Sequence, residues 1–157
     1  MIIGIIAISK NYAIGKGGKL PWHYSADLKF FKETTTGNAV IMGANTWRSI
    51  SKPLPNRLNI VLSRSGNVET PLEVIRLSSK EAVIDFAKEY DRDIFIIGGA
   101  KTYEEFAEVI DEWIVTHIPE EIADADTFMP RDFLDGFKEI EMHDLGGDLF
   151  VKRLHRK

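Results

Sequence analysis

Five short apolar runs, rich in isoleucine and valine, constrain the fold of this chain more than any other feature: residues 2–8, 39–42, 58–62, 94–97 and 113–118. Each run is continuous rather than alternating. A strand with one wet face alternates apolar and polar residues; a strand covered on both faces does not. The runs therefore predict a parallel sheet sandwiched between helices. The intervening segments supply the helices. Ser25–Thr35 has a helical pattern with Ser25 as the expected N-cap. Residues 45–50 fit a short helix. Ser78 and Glu81 fit a capping box for a helix reaching about Tyr90. Tyr103, Phe106, Ala107 and Ile110 recur at helical spacing. Near the end the character changes. Residues 137–143 and 149–154 read as strands joined across Gly146-Gly147, a hairpin. The expected architecture is α/β: one domain over residues 1–157, a mostly parallel central sheet, an antiparallel C-terminal hairpin and helices on both faces.

Totals exclude several functions. A net charge of −4 disfavours a general nucleic-acid surface, so an anionic ligand needs a local basic pocket. The absence of cysteine removes disulfides, thiol catalysis and thiolate zinc sites. The four histidines include no pair at i,i+4, and no metal site is expected. The first apolar run has no basic leader and is too short to span a bilayer. It reads as a buried first strand, and a cytoplasmic protein with no membrane partner is the expectation.

Several polar residues stand where chemistry is possible. Asp27 falls in the first turn of its predicted helix, where the helix dipole alone favours an acid. Leu28 flanks it and Phe31 lies four residues on, so the carboxylate faces an aromatic wall. Thr116, on a predicted strand, is placed to hydrogen-bond it from behind, as a buried acid needs. Arg57 follows Leu54-Pro55-Asn56; a solvated loop arginine and a carboxylate clamp are equally open from position alone. Gly98-Gly99 closes one strand and opens a helix, with no GxGxxG fingerprint. Gly43, Asn45 and Thr46 make a similar strand-to-helix passage, where backbone amides receive phosphates elsewhere. Trp47 reads as core. Ser63-Arg64-Ser65 follows the strand Leu58–Leu62. Residues 11–22 form a long irregular loop containing Gly15, Gly17 and Gly18, and Asp126 is a candidate acceptor for loop amides near Gly15.

Four segments then combine in one order: Leu20-Pro21-Trp22 with Asp27, Ile41-Met42-Gly43 leading to Thr46-Trp47, Leu54-Pro55 with Arg57, and Ile97-Gly98-Gly99 with Tyr103. The set resembles the dihydrofolate reductase family over nearly the whole chain. The resemblance implies hydride transfer from NADPH to C6 of dihydrofolate, with a proton gained at N5 and tetrahydrofolate as product for one-carbon metabolism. It implies catalytic roles for Asp27, Trp22 and Leu20. Asp27 would pair with the 2-amino group and ring nitrogen of the pterin, and water would deliver the proton. Ile5, Leu28, Phe31, Lys32 and Thr116 would line the substrate site with Ile50, Lys52 and Leu54, and Arg57 would hold the glutamate α-carboxylate. Ala7, Ile14, Gly15 and Lys19 would meet the cofactor from the first strand and the loop. Gly43, Asn45 and Thr46 would do so from the second strand end. Ser63, Arg64, Ser65 and Arg76 would read the 2′-phosphate. Ile97, Gly98, Gly99, Ala100, Lys101, Thr102 and Tyr103 would complete the cofactor site, with the Gly-Gly bond cis. Antifolate inhibitors would be further ligands, and a monomer is expected.

The sequence departs from the family pattern in three places. Ala44 stands where a basic residue is common, leaving Arg64, Arg76 and Lys101 as candidates for that phosphate contact. Leu20 replaces a frequent Met, and Ala100 a third glycine. Two alternatives remain: a pyrimidine reductase of riboflavin synthesis, which needs neither the Asp27–Phe31 pairing nor Arg57, and a non-catalytic nucleotide-binding module.

Overall fold

The computed structural model describes residues 1–157. In chain order the elements are β1 (Ile2–Ile8), β2 (Ala13–Gly15), α1 (Ser25–Thr35), β3 (Ala39–Gly43), α2 (Ala44–Ile50), β4 (Leu58–Leu62), β5 (Ile75–Leu77) and α3 (Lys80–Glu89). They continue with β6 (Ile94–Gly98), α4 (Ala100–Phe106), β7 (Glu112–His117), β8 (Thr127–Phe128), β9 (Phe137–Gly146) and β10 (Leu149–Arg156). Eight strands form one sheet in the order β5-β4-β3-β6-β1-β7-β10-β9, and β2 pairs with β8 in a small second sheet. The main sheet is parallel from β5 to β7, and β10 runs antiparallel to both its neighbours.

The continuous apolar runs bury both faces of the sheet. Ile2, Ile6 and Ile8 pack on one face with Trp113, Val83 of α3 and Phe106 of α4. Ile3 and Ile5 pack on the other with Met42, Ile114 and Trp47 of α2, and Phe30 and Phe31 of α1 join them. Helices therefore cover both faces. Gly4 lies directly under the Trp113 ring, where a Cβ would come within 2.5 Å of ring carbon. That ring is held edge-on by Phe133, with centroids 5.1 Å apart, so it has little room to yield.

Local signals failed by one residue at several points. Ser25 is already helical; extended Tyr24 is the N-cap and makes no side-chain cap bond. Ser79, not Ser78, caps α3, and its Oγ accepts from the Ala82 amide at 3.1 Å. Glu81 is then the second helical residue, one short of the position a capping box requires. Helix α4 ends at Phe106, and Ile110 is buried from the turn that follows. Strand β7 starts at Glu112 and leaves Ile118 outside. The C-terminal hairpin turns on Gly147-Asp148 rather than Gly146-Gly147, with φ of 58° and 65° as a type I′ turn requires. Residues 11–22 are not wholly irregular: β2 lies within them, and Lys16 and Lys19 pair across Gly17-Gly18.

This topology creates one crevice. The chain leaves β3 toward β4 on one side and leaves β6 toward β7 on the other. The carboxyl ends of the adjacent strands β3 and β6 are thus where connections diverge, the point at which open α/β sheets bind ligands.

Candidate active site

Asp27 sits in the first turn of α1, turned toward the sheet and only 8% exposed. Burial raises its carboxyl above the ordinary value, and a hydrogen bond with the Thr116 side chain on β7 partly opposes that. Thr116 is itself buried, so the two lie back to back beneath α1. In front of Asp27 opens a cavity of about 280 Å³ lined also by Lys19, Leu20, Trp22, His23, Tyr24, Leu28, Ser49 and Ile50. Asp27 is the only carboxylate in that lining. Leu20 and Leu28 expose large apolar surface at its mouth, as a ligand cleft does. Trp22 Nε1 is buried without a partner, a donor suited to a water or ligand acceptor. Tyr24, His23 and Ser49 went unread in the sequence. Tyr24 precedes α1 and was hidden by the apparent Ser25 cap.

Arg57 is fixed beside this cavity by its own neighbours. Its Nε donates to the Pro55 carbonyl at 2.9 Å, and Nη1 to Thr35 Oγ1 at 3.1 Å. Its guanidinium lies 5.9 Å from the Phe31 ring centroid. Buried Asn59 ties the turn that carries it: Oδ1 accepts from the Leu54 amide, and Nδ2 donates to the Leu54 and Arg57 carbonyls. Neither Thr35 nor Asn59 was singled out from sequence. Phe31, Ile50 and Leu54 pack against the core from this side, and Ile5 is part of it. Lys32 and Lys52 are exposed.

The two glycine-marked strand ends do meet. A Cβ on Gly43 would stand 2.6 Å from Thr102 Oγ1, and one on Gly99 3.6 Å from Thr46 Oγ1. The Gly98-Gly99 bond is cis. Tyr103 lies behind Gly98 rather than in the open crevice; it is buried, and its hydroxyl donates to the Ile5 carbonyl at 2.7 Å. Thr102 is likewise buried. Ala7, Ile14, Gly15, Ile97 and Ala100 are half-buried around this region, while Asn45 and Lys19 are exposed.

Farther along, Arg64, Lys101, Glu104 and Glu105 line a second cavity of about 510 Å³. Arg64 is ion-paired there with Glu105, a partner the sequence did not suggest. Ser63 is buried, and Ser65 accepts a bond from the Asn67 amide. Arg76 lies outside this cavity and donates to the Val68 carbonyl at 3.1 Å. Beside Ala44, Asn45 accepts a bond from Arg48 at 3.1 Å. A glycine-floored crevice ending in two cations suits a phosphorylated dinucleotide: backbone approaches closely at one end and charge is available at the other.

The loop over the first cavity is pinned from one side. Asp126 Oδ2 accepts from the Gly17 amide at 2.8 Å, and the Asp126 amide donates to the Gly15 carbonyl at 3.2 Å. The Gly17 bond holds the Asp126 carboxyl below its ordinary value. Lys16 pairs with Asp124, the Tyr24 hydroxyl donates to Glu120, and Ser49 Oγ donates to the Gly18 carbonyl at 3.0 Å.

A buried carboxylate in a mostly apolar cleft, with two glycine-marked strand ends meeting at diverging connections, suits an α/β enzyme that binds a small substrate and a nucleotide cofactor. Comparison with known proteins is specific. The family model for dihydrofolate reductase matches residues 1–148. The dihydrofolate reductase of Haemophilus influenzae is 41% identical over 127 residues, 81% of this chain and 77% of that protein. That of Schistosoma mansoni is 37% identical over 168 residues, 94% of this chain and 88% of that protein. The structure of dihydrofolate reductase from Enterococcus faecalis complexed with NADP(H) and RAB-propyl superposes with a TM-score of 0.91 at 30% identity, covering 100% of this chain and 96% of that one. The chain belongs to the dihydrofolate reductase family.

Proposed function

We propose that this chain reduces 7,8-dihydrofolate to 5,6,7,8-tetrahydrofolate with NADPH, using Asp27 as the pterin anchor and the crevice between β3 and β6 for the cofactor. The single observation that carries the assignment of roles is the buried Asp27 carboxylate, backed by Thr116 and alone in its apolar cavity. Such an acid binds a planar N–C–N edge through two parallel hydrogen bonds. Its charge, poorly screened by the apolar walls, favours protonation of the bound ring. Trp22 Nε1, a buried donor without a protein partner, would hold the water that delivers that proton. Leu20 and Leu28 exclude bulk solvent, and Ile50, Leu54 and Phe31 grip the aminobenzoyl ring. Arg57 turns its remaining Nη toward the glutamate α-carboxylate.

NADPH, when bound, supplies the hydride to pterin C6. Gly43, Asn45, Thr46, Gly98 and Gly99 would let its phosphates approach backbone, and Ala7, Ile14 and Ile97 would hold the nicotinamide. Arg64 and Lys101 hold the 2′-phosphate. The protein contributes orientation and electrostatics. In this proposal the chain acts as a cytoplasmic monomer in one-carbon metabolism, open to antifolates in the Asp27 cavity. The test is loss of NADPH absorbance on adding dihydrofolate, against NADH and substrate-free controls. Oxidation that requires both dihydrofolate and NADPH is expected. Substrate-independent oxidation, or none, would sink the reading.

A further inference from the structure

The Arg64–Glu105 ion pair has a consequence for cofactor choice. Arg64 follows β4 and its side chain is 72% exposed, whereas Glu105, on α4 beside buried Phe106, is 19% exposed. The acid is thus the fixed member and the arginine the movable one. Together with Lys101 and Glu104 they give the cavity two cations and two carboxylates, no net charge. A phosphate monoester entering this cavity does not find a free guanidinium. It must take Arg64 from Glu105 and then lie close to that carboxylate. No third cation helps from position 44, which is alanine. A free ribose hydroxyl meets the opposite situation: it can donate to Glu105, the bond by which carboxylates select the unphosphorylated nucleotide in other dinucleotide sites.

We infer that Glu105 is a specificity-determining residue, which competes with the 2′-phosphate for Arg64 and thereby narrows the preference for NADPH over NADH. The inference rests on the proposed reading that Arg64 holds the 2′-phosphate. Glu105→Gln keeps the size and hydrogen-bonding capacity of the side chain and removes its charge. Removing the charge frees Arg64 and relieves the repulsion at the phosphate, so NADPH affinity should rise about three- to tenfold. NADH affinity should stay constant or fall slightly.

The experiment measures Kd for NADPH and NADH in the full-length wild type, E105Q, R64A and the R64A/E105Q double variant. Thermal unfolding verifies that each is folded, and E105A serves as a second charge-removing variant. The expected result is a larger NADPH/NADH affinity ratio in E105Q and E105A that disappears in the R64A background. Three outcomes overturn the inference. An unchanged or smaller ratio in E105Q, with R64A still erasing the preference, makes Glu105 a bystander or a support for Arg64, while the Arg64 reading survives. A gain that persists without Arg64 makes the effect general electrostatics rather than competition for the arginine. A preference untouched by R64A places the 2′-phosphate elsewhere and removes the reading beneath the inference.

Discussion

The two ends of the crevice are built on different physics. At the substrate end Asp27 is 8% exposed, its partner Thr116 comes from the sheet, and Arg57 is tied by Pro55, Thr35 and the Asn59 brace. Asp27 and Thr116 cannot rearrange without disturbing the core, and Arg57, half-buried, is held by two hydrogen bonds. At the end proposed for adenosine, Arg64 is 72% exposed and paired with an acid of the same cavity. Its geometry is a choice among surface partners. Preorganisation at the first end favours rate, because a buried fixed charge need not reorganise during reaction. Exchange at the second end tunes affinity, in a medium where ion pairs are weak and screened.

The sharpest way to break this contrast is Asp27→Asn. Charge-assisted bonds contribute roughly 1.5–3 kcal/mol each, and 1.36 kcal/mol is tenfold, so turnover near neutral pH should fall about a hundredfold or more. Stability should move the other way. Because burial raises the Asp27 carboxyl, the native state takes up its proton at higher pH than the unfolded chain. Ionisation therefore costs native stability as pH rises through that window, and the whole cost is present at neutral pH. Asn should raise the unfolding midpoint at pH 7, with the gain shrinking as pH falls into the carboxyl range; thermal unfolding across pH reads this directly.

Arg57→Ala should weaken dihydrofolate binding by about ten- to a hundred-and-fifty-fold, the loss of one charge-assisted carboxylate contact. NADPH binding should hold constant, and a pterin lacking the glutamate tail should not respond. Equal damage to the tail-less pterin would remove Arg57 from the clamp role. At the exposed end the expected NADPH preference is about ten- to a hundred-and-fifty-fold from one such contact, and Arg64→Ala should erase most of it. Ala44→Arg should tighten NADPH and steepen its salt dependence. The smallest effect is expected from Asp126→Ala. The Gly17 amide loses its acceptor and should exchange with solvent faster, while the unfolding midpoint barely moves, since the residue is exposed.

The same contrast explains what the sequence disclosed. Continuous apolar runs announced the strands covered on both faces, because burial there leaves no polar alternation. Asp27 was legible as a first-turn acid because helical phase is local, whereas Phe31, expected as the wall beside it, packs against the core and does not line the Asp27 cavity. Ser78-x-x-Glu81 matches a capping box and Ser79-x-x-Ala82 does not, so the local pattern pointed to the wrong serine; Ser79 caps through its own side chain on the Ala82 amide. Strands β2, β5 and β8 span only two or three residues and carry no period. Arg64 and Glu105 are 41 positions apart, and Tyr24 and Glu120 are 96 apart. No local pattern joins them; only the return of the chain across the sheet does. Tyr103 was legible by its place beside Gly98-Gly99, but its packing was not: the ring fills the space behind Gly98 and its hydroxyl donates to the Ile5 carbonyl.

Salt separates the two ends in one experiment. Dihydrofolate-dependent NADPH oxidation at saturating substrates, in the wild type and D27N, is measured at about 0.05 M and about 0.5 M potassium chloride alongside the NADPH Kd of the wild type and R64A. The wild-type/D27N turnover ratio should change little between the two salts, because Asp27 is only 8% exposed and bound substrate would cover the cavity it faces. The NADPH affinity of the wild type should fall with salt, and more steeply than that of R64A. A turnover ratio that collapses at high salt, or equal salt slopes for wild type and R64A, would contradict the division of the site into a buried fixed end and an exposed exchangeable one.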